Sequence, residues 1–216
     1  YKESKRRLSY STLLSITPRV NASIKRKPLH LIAKEMGESY LKLARSRRSN
    51  LDSYSLRREL RKELRGILKV VNPNKNPETK LMWSKKLSGA TVEAVILKSE
   101  PGIIVPMFII RPDAYKNEPV PVVVAVSEGG KDRFLKDRSA EIERLIKSGV
   151  GVCLPDVRGI GETAPDQYNR NSRFANKELE LGKTMLGWRL KDLRTVIEYL
   201  KSRSDVNTEK IALWGD

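Results

Sequence analysis

Residues 120–162 carry the clearest fold signal in this 216-residue chain and read VPVVVAVSEGGKDRFLKDRSAEIERLIKSGVGVCLPDVRGIGE. Within them, Val122–Val126 and Val150–Leu154 are apolar throughout, which is typical of strands buried between two helix layers. Between these segments, Ile142 and Ile146 recur at helical spacing. A strand, a helix and a second strand in this order predict two parallel strands joined by a right-handed crossover.

The same alternation extends in both directions along the chain. Thr91–Lys98 and Ile104–Arg111 are rich in β-branched and apolar residues, and the Pro101-Gly102 turn between them predicts a hairpin. Ile211–Trp214 is predicted to be a third buried strand, preceded by a long helix. The apolar stripe on that helix consists of Leu186, Leu190, Leu193, Ile197 and Leu200. Residues 83–216 are therefore predicted to form an α/β domain with a mostly parallel sheet and flanking helices, incomplete at its C-terminus.

The net charge of the chain is concentrated in its N-terminal part. Of the 43 Lys/Arg and 26 Asp/Glu residues, 23 and 7 lie in residues 1–90, which gives a net charge of +16. Residues 91–216 contain 20 and 19, which gives a net charge of +1. The basic character therefore belongs to the N-terminal segment and not to the α/β domain.

Residues 1–82 are predicted to form a basic, partly helical segment and linker. Apolar residues recur at helical spacing in residues 29–47 and again in residues 53–69. Residues 1–28 show no sustained period and are expected to be loosely structured. The prolines and asparagines of Asn72–Pro77 end the helical pattern and predict a linker.

The turns that follow the predicted strands are candidate sites, because the chemistry of an open parallel sheet lies at the carboxyl ends of its strands. Gly129-Gly130-Lys131 follows the first buried strand. A phosphate-binding Walker loop would need glycine at position 125 and Ser or Thr at position 132, where the chain has Ala125 and Asp132. Two interpretations stay open: a tight turn that uses the conformational freedom of glycine, or an oxyanion loop whose backbone N–H groups face a developing negative charge.

The turn after the second buried strand, Gly159-Ile160-Gly161, matches the start of the dinucleotide pattern G-x-G-x-x-A. A dinucleotide site also needs a helix that begins at the glycines and a further strand that ends in an acid. Residues 165–173 are polar without an amphipathic stripe, and residues 176–183 are not strand-like. We therefore expect no nicotinamide or flavin site, and no other cofactor is predicted.

Few other residues are candidates for chemistry. The chain has one cysteine, Cys153, and one histidine, His30, so no His/Cys metal cluster is expected. Cys153 lies in an apolar run and is expected to be buried, whereas His30 is expected to be a surface or helix-packing residue. Asp156 and Arg158 are expected to form an ion pair that fixes their turn, with direct catalysis as the alternative.

Two motifs are similar to those of a known family. Asp156–Glu162 reads DVRGIGE and Leu186–Leu193 reads LGWRLKDL, and both stand in the predicted order of strands and helices. Together they resemble the α/β-hydrolase superfamily, in particular bacterial acetylxylan esterase-like and related carbohydrate-esterase proteins. The resemblance covers residues 83–216, and it does not explain the basic N-terminal segment.

The resemblance implies where an active site would lie. Gly215 and Asp216 would occupy the first two positions of the nucleophile elbow Gly-x-Ser-x-Gly, so the serine, the acid and the histidine are expected after Asp216. Gly129 and Gly130 would supply backbone N–H groups to the oxyanion hole, and the loop from residue 159 to residue 183 would form a wall or lid. The chain is interpreted as a fragment and is expected to be inactive by itself.

The resemblance thus implies a serine hydrolase that removes acyl groups from carbohydrate or other small esters through an acyl-enzyme, on a scaffold that peptidases and thioesterases also use. The alternative is a non-catalytic binding protein whose basic N-terminal helices recruit an acidic partner, although no specific nucleic-acid site is predicted. No apolar run reaches the length of a membrane span. Because Tyr1 is interpreted as a cut and not a natural start, the sequence predicts neither compartment nor oligomeric state.

Overall fold

The computed structural model describes residues 9–24, 27–69, 72–115, 118–165 and 170–216. Its contacts divide the chain into one unit that ends at Leu60 and a second that begins at Arg61. The boundary lies within helix α4.

The N-terminal unit consists of helices. Two short ones, α1 (Tyr10–Leu13) and α2 (Pro18–Ser23), are followed by α3 (Leu29–Arg48) and by the first half of α4 (Ser53–Leu68). The two long helices confirm the predictions for residues 29–47 and 53–69. The short ones lie in the segment that we expected to be loosely structured, and each begins at a Ser or Thr whose hydroxyl accepts a backbone N–H. No side chain of α3 is buried.

The second unit is built on one mixed sheet of six strands. The strands are β1 (Thr79–Leu87), β2 (Ala90–Glu100), β3 (Ile103–Pro112), β4 (Val120–Val126), β5 (Gly151–Pro155) and β6 (Val206–Gly215). Their order across the sheet is β1-β2-β3-β5-β4-β6. The pairs β1–β2, β2–β3 and β3–β5 are antiparallel, whereas β4 is parallel to both β5 and β6. The α/β prediction is confirmed, including the hairpin of β2 and β3, but the sheet is mixed where a mostly parallel one was predicted, since three of its five strand pairs are antiparallel.

Besides the second half of α4, the described residues of this unit form four α-helices: α5 (Gly130–Asp137), α6 (Ser139–Lys147), α7 (Arg170–Glu180) and α8 (Met185–Ser202). Two buried clusters show that helices cover the sheet on both faces. One cluster joins β2–β5 to α8 through Val196 and Leu200. The other joins β2–β5 to α5 and α6 through Phe134 and Ile142. Cys153 is fully buried as predicted, and burial raises the pKa of its thiol to about 12.

Strand β1 was not predicted, and the α/β domain was expected to begin only at residue 83. The strand starts at Thr79 and pairs with β2 through a turn in which Gly89 has a φ of +81°. All nine of its residues are exposed, so it carries no burial pattern that could signal a strand. Its conformation is set by hydrogen bonding to β2, which lies next to it in the sheet.

Ile211–Trp214 lies in a strand as predicted, but the prediction that this strand is buried is wrong. The segment belongs to β6 at the edge of the sheet, where Val206 is the strand's buried residue and Leu213 is 61% exposed. The apolar run marks a strand correctly, but the described residues cover only part of its surface. Trp214 does pack, edge to face, on Phe134 with 4.8 Å between ring centroids.

The predicted loop from residue 159 to residue 183 contains a helix. Gly161–Thr163 forms one 3₁₀ turn, and α7 begins at Arg170, while residues 166–169 lie outside the described part of the chain. Among the described residues, the chain after Gly159 enters this 3₁₀ turn and no α-helix begins at the glycines. The helix was missed because its segment is strongly polar and an apolar stripe was the expected signal.

Candidate active site

A cleft of about 440 Å³ lies at the carboxyl ends of β4, β5 and β6, where the sequence analysis places the chemistry. The adjacent parallel strands β4 and β6 are in register there, with Val126 opposite Gly215, and the Asp216 N–H donates to the Val126 carbonyl at 3.0 Å. Polar lining comes from the turns and from α8: Ser127, Glu128, Arg189 and Asp216. Apolar lining comes from Val126, Val157, Ile160, Leu186, Leu190 and Leu193.

The two glycines after β4 occupy different environments. Gly129 is exposed and precedes α5 with an ordinary φ of −79°. Gly130 is buried at a φ of +79°, and its N–H donates to the Ser127 carbonyl at 3.2 Å. A Cβ on Gly130 would lie 2.6 Å from the Gly161 Cα, so only glycine fits. The cleft wall next to these glycines is formed by Ser127 and Glu128.

Asp156 joins the turn after β4 to the turn after β5. Its buried carboxylate accepts the Lys131 N–H at 2.7 Å, the Lys131 ammonium at 2.8 Å and the Glu162 N–H at 2.9 Å. Lys131 also pairs with Glu162. Burial opposes the charged form of Lys131, but its hydrogen bonds to the two carboxylates raise its pKa above the usual value. The lysine of Gly-Gly-Lys is therefore committed to a buried ion pair and not to a phosphate.

The expected ion pair between Asp156 and Arg158 does not form. Arg158 instead donates to Asp192 through Nη2 at 2.6 Å and Nε at 2.8 Å, and it pairs with Glu100 at 2.8 Å. Asp192 is fully buried and also accepts the Ser99 hydroxyl at 2.6 Å. Both residues of the motif thus have structural partners, but these lie on different elements.

Helix α8 buries a more polar face than its apolar stripe predicts. Its buried residues include Lys191, Asp192 and Thr195 beside Val196 and Leu200. Leu186 is 61% exposed and contributes to the cleft wall with Leu190 and Leu193. Part of the apolar stripe of α8 therefore lines the candidate site and not the core. The polar face is buried because Asp192 is hydrogen-bonded to Ser99 and Arg158.

Asp216 is bound by Arg138, which lies at the junction of α5 and α6. Arg138 donates to it through Nη2 at 2.7 Å and Nε at 2.9 Å, a bidentate pair. The hydrogen bond from Arg138 lowers the pKa of the Asp216 carboxyl below its usual value. The end of β6 is thereby fixed against the helix layer.

Arg189 is the residue of the cleft that the sequence analysis did not single out. Its guanidinium is half-buried and donates to the carbonyls of Arg158 at 3.1 Å and Gly159 at 3.4 Å. Burial lowers its pKa, and the negative charge of Glu128 opposes that shift. The sequence offered one clue, namely the position of Arg189 inside the Leu186–Leu193 motif.

Other possible sites are less suited to the predicted chemistry. A larger cavity of about 760 Å³ lies between the β2–β3 hairpin and α6, away from the carboxyl ends of the parallel strands. Within the described ranges, no three His, Cys, Asp or Glu side chains are grouped as metal ligands, and His30 is exposed on α3. None of the described helices is long and apolar enough to span a membrane.

Comparison with known proteins supports the fold. No family model and no curated protein matches the sequence. Similar solved structures include a candidate acetyl xylan esterase from Bacteroides fragilis, with a TM-score of 0.62 and 19% identity over 73% of this chain and 46% of that one. A glucuronoyl esterase from Solibacter usitatus has a TM-score of 0.53 and 15% identity over 76% and 53%. An acetyl xylan esterase from Paenibacillus sp. R4 has a TM-score of 0.50 and 19% identity over 65% and 45%.

The second unit therefore has the fold of α/β-hydrolase-type carbohydrate esterases, as the motifs predicted. The chain spans about half the length of these solved structures. At these identities the similarity establishes the fold, and the activity has to be argued from the site.

Proposed function

We propose that the protein is a serine hydrolase that cleaves carboxylic esters through an acyl-enzyme. The observation that carries this proposal is the cleft at the carboxyl ends of β4 and β6, two parallel strands in direct register. In an open α/β sheet this is where catalytic groups are placed. The esterase-like fold supports the same class of reaction.

In the proposed mechanism, Gly215 opens the nucleophile elbow and a serine follows Asp216. A nucleophile on this sharp turn would project over the end of β6 into the cleft, and the acid and histidine would come from later in the protein. Two contacts support this placement. The Asp216 N–H bonds the Val126 carbonyl, and the Asp216 carboxylate is held by Arg138, so the residue before the proposed serine is fixed on two sides.

The oxyanion would be stabilised by backbone N–H groups of the turn after β4. Gly129 would act as a donor, since it lies at the exposed part of this turn beside Ser127 and Glu128. Gly130 would act indirectly, because its own N–H bonds Ser127 and its positive φ shapes the turn. Donors held in this way stabilise charge that develops in the transition state.

The substrate would be a small or carbohydrate ester. Two of the similar structures are named as acetyl xylan esterases and one as a glucuronoyl esterase, all of which act on esters. The cleft of about 440 Å³ is large enough for an acyl group and part of an alcohol. No cofactor or metal takes part in this mechanism.

The test uses the full-length protein that the gene encodes, with p-nitrophenyl acetate as substrate. We expect enzyme-like turnover that a fluorophosphonate abolishes, with the label on a serine directly after Asp216. The 216-residue chain should be inert under the same conditions. Turnover by this chain, or labelling at a different residue, would contradict the mechanism.

A matched pair of variants tests the oxyanion assignment. In the full-length enzyme, Gly129→Val keeps the backbone N–H but places a branched side chain beside it, which should hold the substrate carbonyl away from this donor. The kcat should therefore fall by up to about 10²–10³-fold, the usual penalty for losing one oxyanion interaction, with a smaller change in KM. Ser88→Val, in the β1–β2 turn remote from this cleft, is the control and should leave kcat unchanged. Near-normal kcat per titrated serine in Gly129→Val would exclude Gly129 as an oxyanion donor.

A second candidate function, compatible with the first, is the binding of an anionic polymer by the basic N-terminal segment. The observation that favours it is helix α3, on which Arg45, Arg47 and Arg48 lie in the last turn and no residue is buried. Basic side chains clustered on exposed helices attract polyanions without requiring a specific site.

A further inference from the structure

Arg189 is a charged cleft residue that the proposed acyl transfer does not use. It lies on α8 between Leu186 and Leu190, which line the same cleft. Within the described residues no carboxylate oxygen lies within 4.0 Å of its guanidinium. Its two hydrogen bonds go to main-chain carbonyls, which orient the guanidinium but carry no charge to balance it.

Neighbouring cations of the same unit are balanced by acids. Lys131 pairs with Asp156, and Arg158 pairs with Asp192 and Glu100. The same holds for Lys191 with Glu100 and for Arg203 with Glu93 and Asp205. A half-buried guanidinium that faces a cleft without such a partner carries a desolvation cost that a bound anion would offset.

The acids of the cleft do not take this role. Asp216 is held by Arg138 in a bidentate pair, which neutralises it. Glu128 is exposed and acts on Arg189 only through space, with no hydrogen bond between them. Apart from the uncharged Ser127, the remaining side chains of the lining are apolar, with Val157, Ile160 and Leu193 among them. Among the described residues, the cleft thus combines largely apolar walls with a guanidinium that has no carboxylate in hydrogen-bond or ion-pair contact.

We propose that Arg189 forms an anion-binding subsite of this cleft and that the ester substrate carries a carboxylate joined to the ester group by a short apolar segment. The inference rests on the proposed esterase function and names the substrate class for that site. Arginine has five N–H donors, of which two are occupied here, so donors remain for a carboxylate. The carbonyls of Arg158 and Gly159 hold the guanidinium in position before the substrate binds.

The kinetic test compares two esters on the full-length protein: mono-p-nitrophenyl succinate, which carries a carboxylate, and p-nitrophenyl butyrate, a neutral ester of the same chain length. The readout is the ratio of kcat/KM for succinate to that for butyrate. Arg189→Gln keeps N–H donors for the two carbonyls but removes the charge, and it should lower this ratio about tenfold or more. Glu128→Gln removes a competing negative charge and should raise the ratio a few-fold.

The matched control is Arg194→Gln, which makes the same change on the same helix at a half-buried residue outside the cleft lining. It should leave the ratio unchanged. An unchanged ratio in Arg189→Gln would overturn the inference. An equal loss on both esters would also overturn it, because Arg189 would then only hold the loop.

A binding test separates failure of the inference from failure of the proposed function. Saturation-transfer NMR on the full-length protein with succinamate and with butyramide measures carboxylate recognition without hydrolysis. We expect succinamate to bind at least several-fold more tightly in the unmodified protein and to lose this preference in Arg189→Gln. If neither ester is hydrolysed but the preference is present, the esterase proposal fails and the anion subsite stands. If the esters are hydrolysed but the protein does not bind succinamate more tightly than butyramide, the subsite assignment is wrong.

Discussion

Gly129 and Gly130 are adjacent residues with different physical requirements. Gly130 adopts a φ of +79° in a buried turn, where a Cβ would meet Gly161 backbone and the Asp156 carboxylate. Gly129 adopts an ordinary φ, and a Cβ there would meet only the exposed, flexible side chain of Arg133. The sequence motif treats the two glycines alike, whereas in the structure Gly130 is buried and Gly129 is exposed, and neither is among the residues that line the cleft.

This difference predicts unequal effects on stability. Gly130→Ala should lower the free energy of unfolding by about 2–4 kcal/mol, because a left-handed φ and a backbone clash are added together. Gly129→Ala should change it by less than about 1 kcal/mol, because Arg133 can move aside. Urea unfolding of the two variants measures both values. Equal destabilisation would show that the turn does not depend on the conformation of Gly130.

The buried Asp192 carboxylate leads to a second prediction at this scale. Replacing it with alanine leaves the half-buried Arg158 without its bidentate partner and Ser99 without an acceptor. The expected loss is about 3–5 kcal/mol in the free energy of unfolding. Glu143→Gln, which removes an exposed i,i+4 pair with Lys147, is the control and should leave the free energy of unfolding nearly unchanged, because solvent screens such a pair. A similar small loss in both variants would rule out a structural role for Asp192.

At the scale of elements, the sequence predicts the strands and helices whose own residue pattern shows which positions are buried. Strands β4 and β5 were predicted because their residues are apolar, with valine predominant in β4. The β2–β3 hairpin was predicted because a Pro-Gly turn separates two runs rich in β-branched and apolar residues. Strand β1 was missed because its nine residues are exposed and only its pairing with β2 makes it a strand.

The candidate site follows the same division. Its location could be predicted, since the ends of parallel strands are fixed by the order of strands and helices. The partners of Asp192 could not, because Ser99 and Arg158 are 93 and 34 residues away in sequence and meet it only in the folded sheet. Arg189 was overlooked for the same reason, because its acceptors are backbone atoms, which no side-chain pattern reveals.

The edge strand β6 leads to a prediction of its own. Leu213 is 61% exposed on a strand that has one paired edge, and such surfaces promote association between chains. The 216-residue chain should self-associate, and Leu213→Lys should reduce this association. Leu179→Lys on α7, where the side chain is 59% exposed on a helix, is the control and should have little effect. Sedimentation velocity over a range of concentrations measures the outcome.

At the scale of the whole molecule, charge and chemistry are separated along the sequence. Residues 1–90 carry a net charge of +16, and residues 91–216, which contain the cleft, carry +1. This division predicts that polyanion binding and ester hydrolysis can be changed independently. It also argues against nucleic-acid recognition by the sheet domain itself.

Truncation of the full-length protein before Arg61 tests this independence. Heparin affinity should fall strongly and become much less salt-dependent, because residues 1–60 contain 15 Lys/Arg and 5 Asp/Glu, a net charge of +10 that would displace counterions from heparin. The kcat for p-nitrophenyl butyrate should stay within a few-fold of that of the untruncated enzyme. A collapse of kcat, with the fold intact by circular dichroism, would show that the helices are part of the active-site architecture.

The reactivity of the Cys153 thiol can report how often the sheet opens to solvent. The thiol sits at the centre of the sheet, and a pKa raised from 9.0 to about 12 lowers its thiolate fraction near pH 8 roughly a thousandfold, apart from the barrier to access. Modification by a thiol reagent should therefore be slow in the native protein and become fast in urea. Fast modification under native conditions would contradict the burial. Since the 216-residue chain has one cysteine, its labelling rate measures how often the middle of the sheet is exposed to solvent, and variants of this chain can be ranked by that rate without adding a probe.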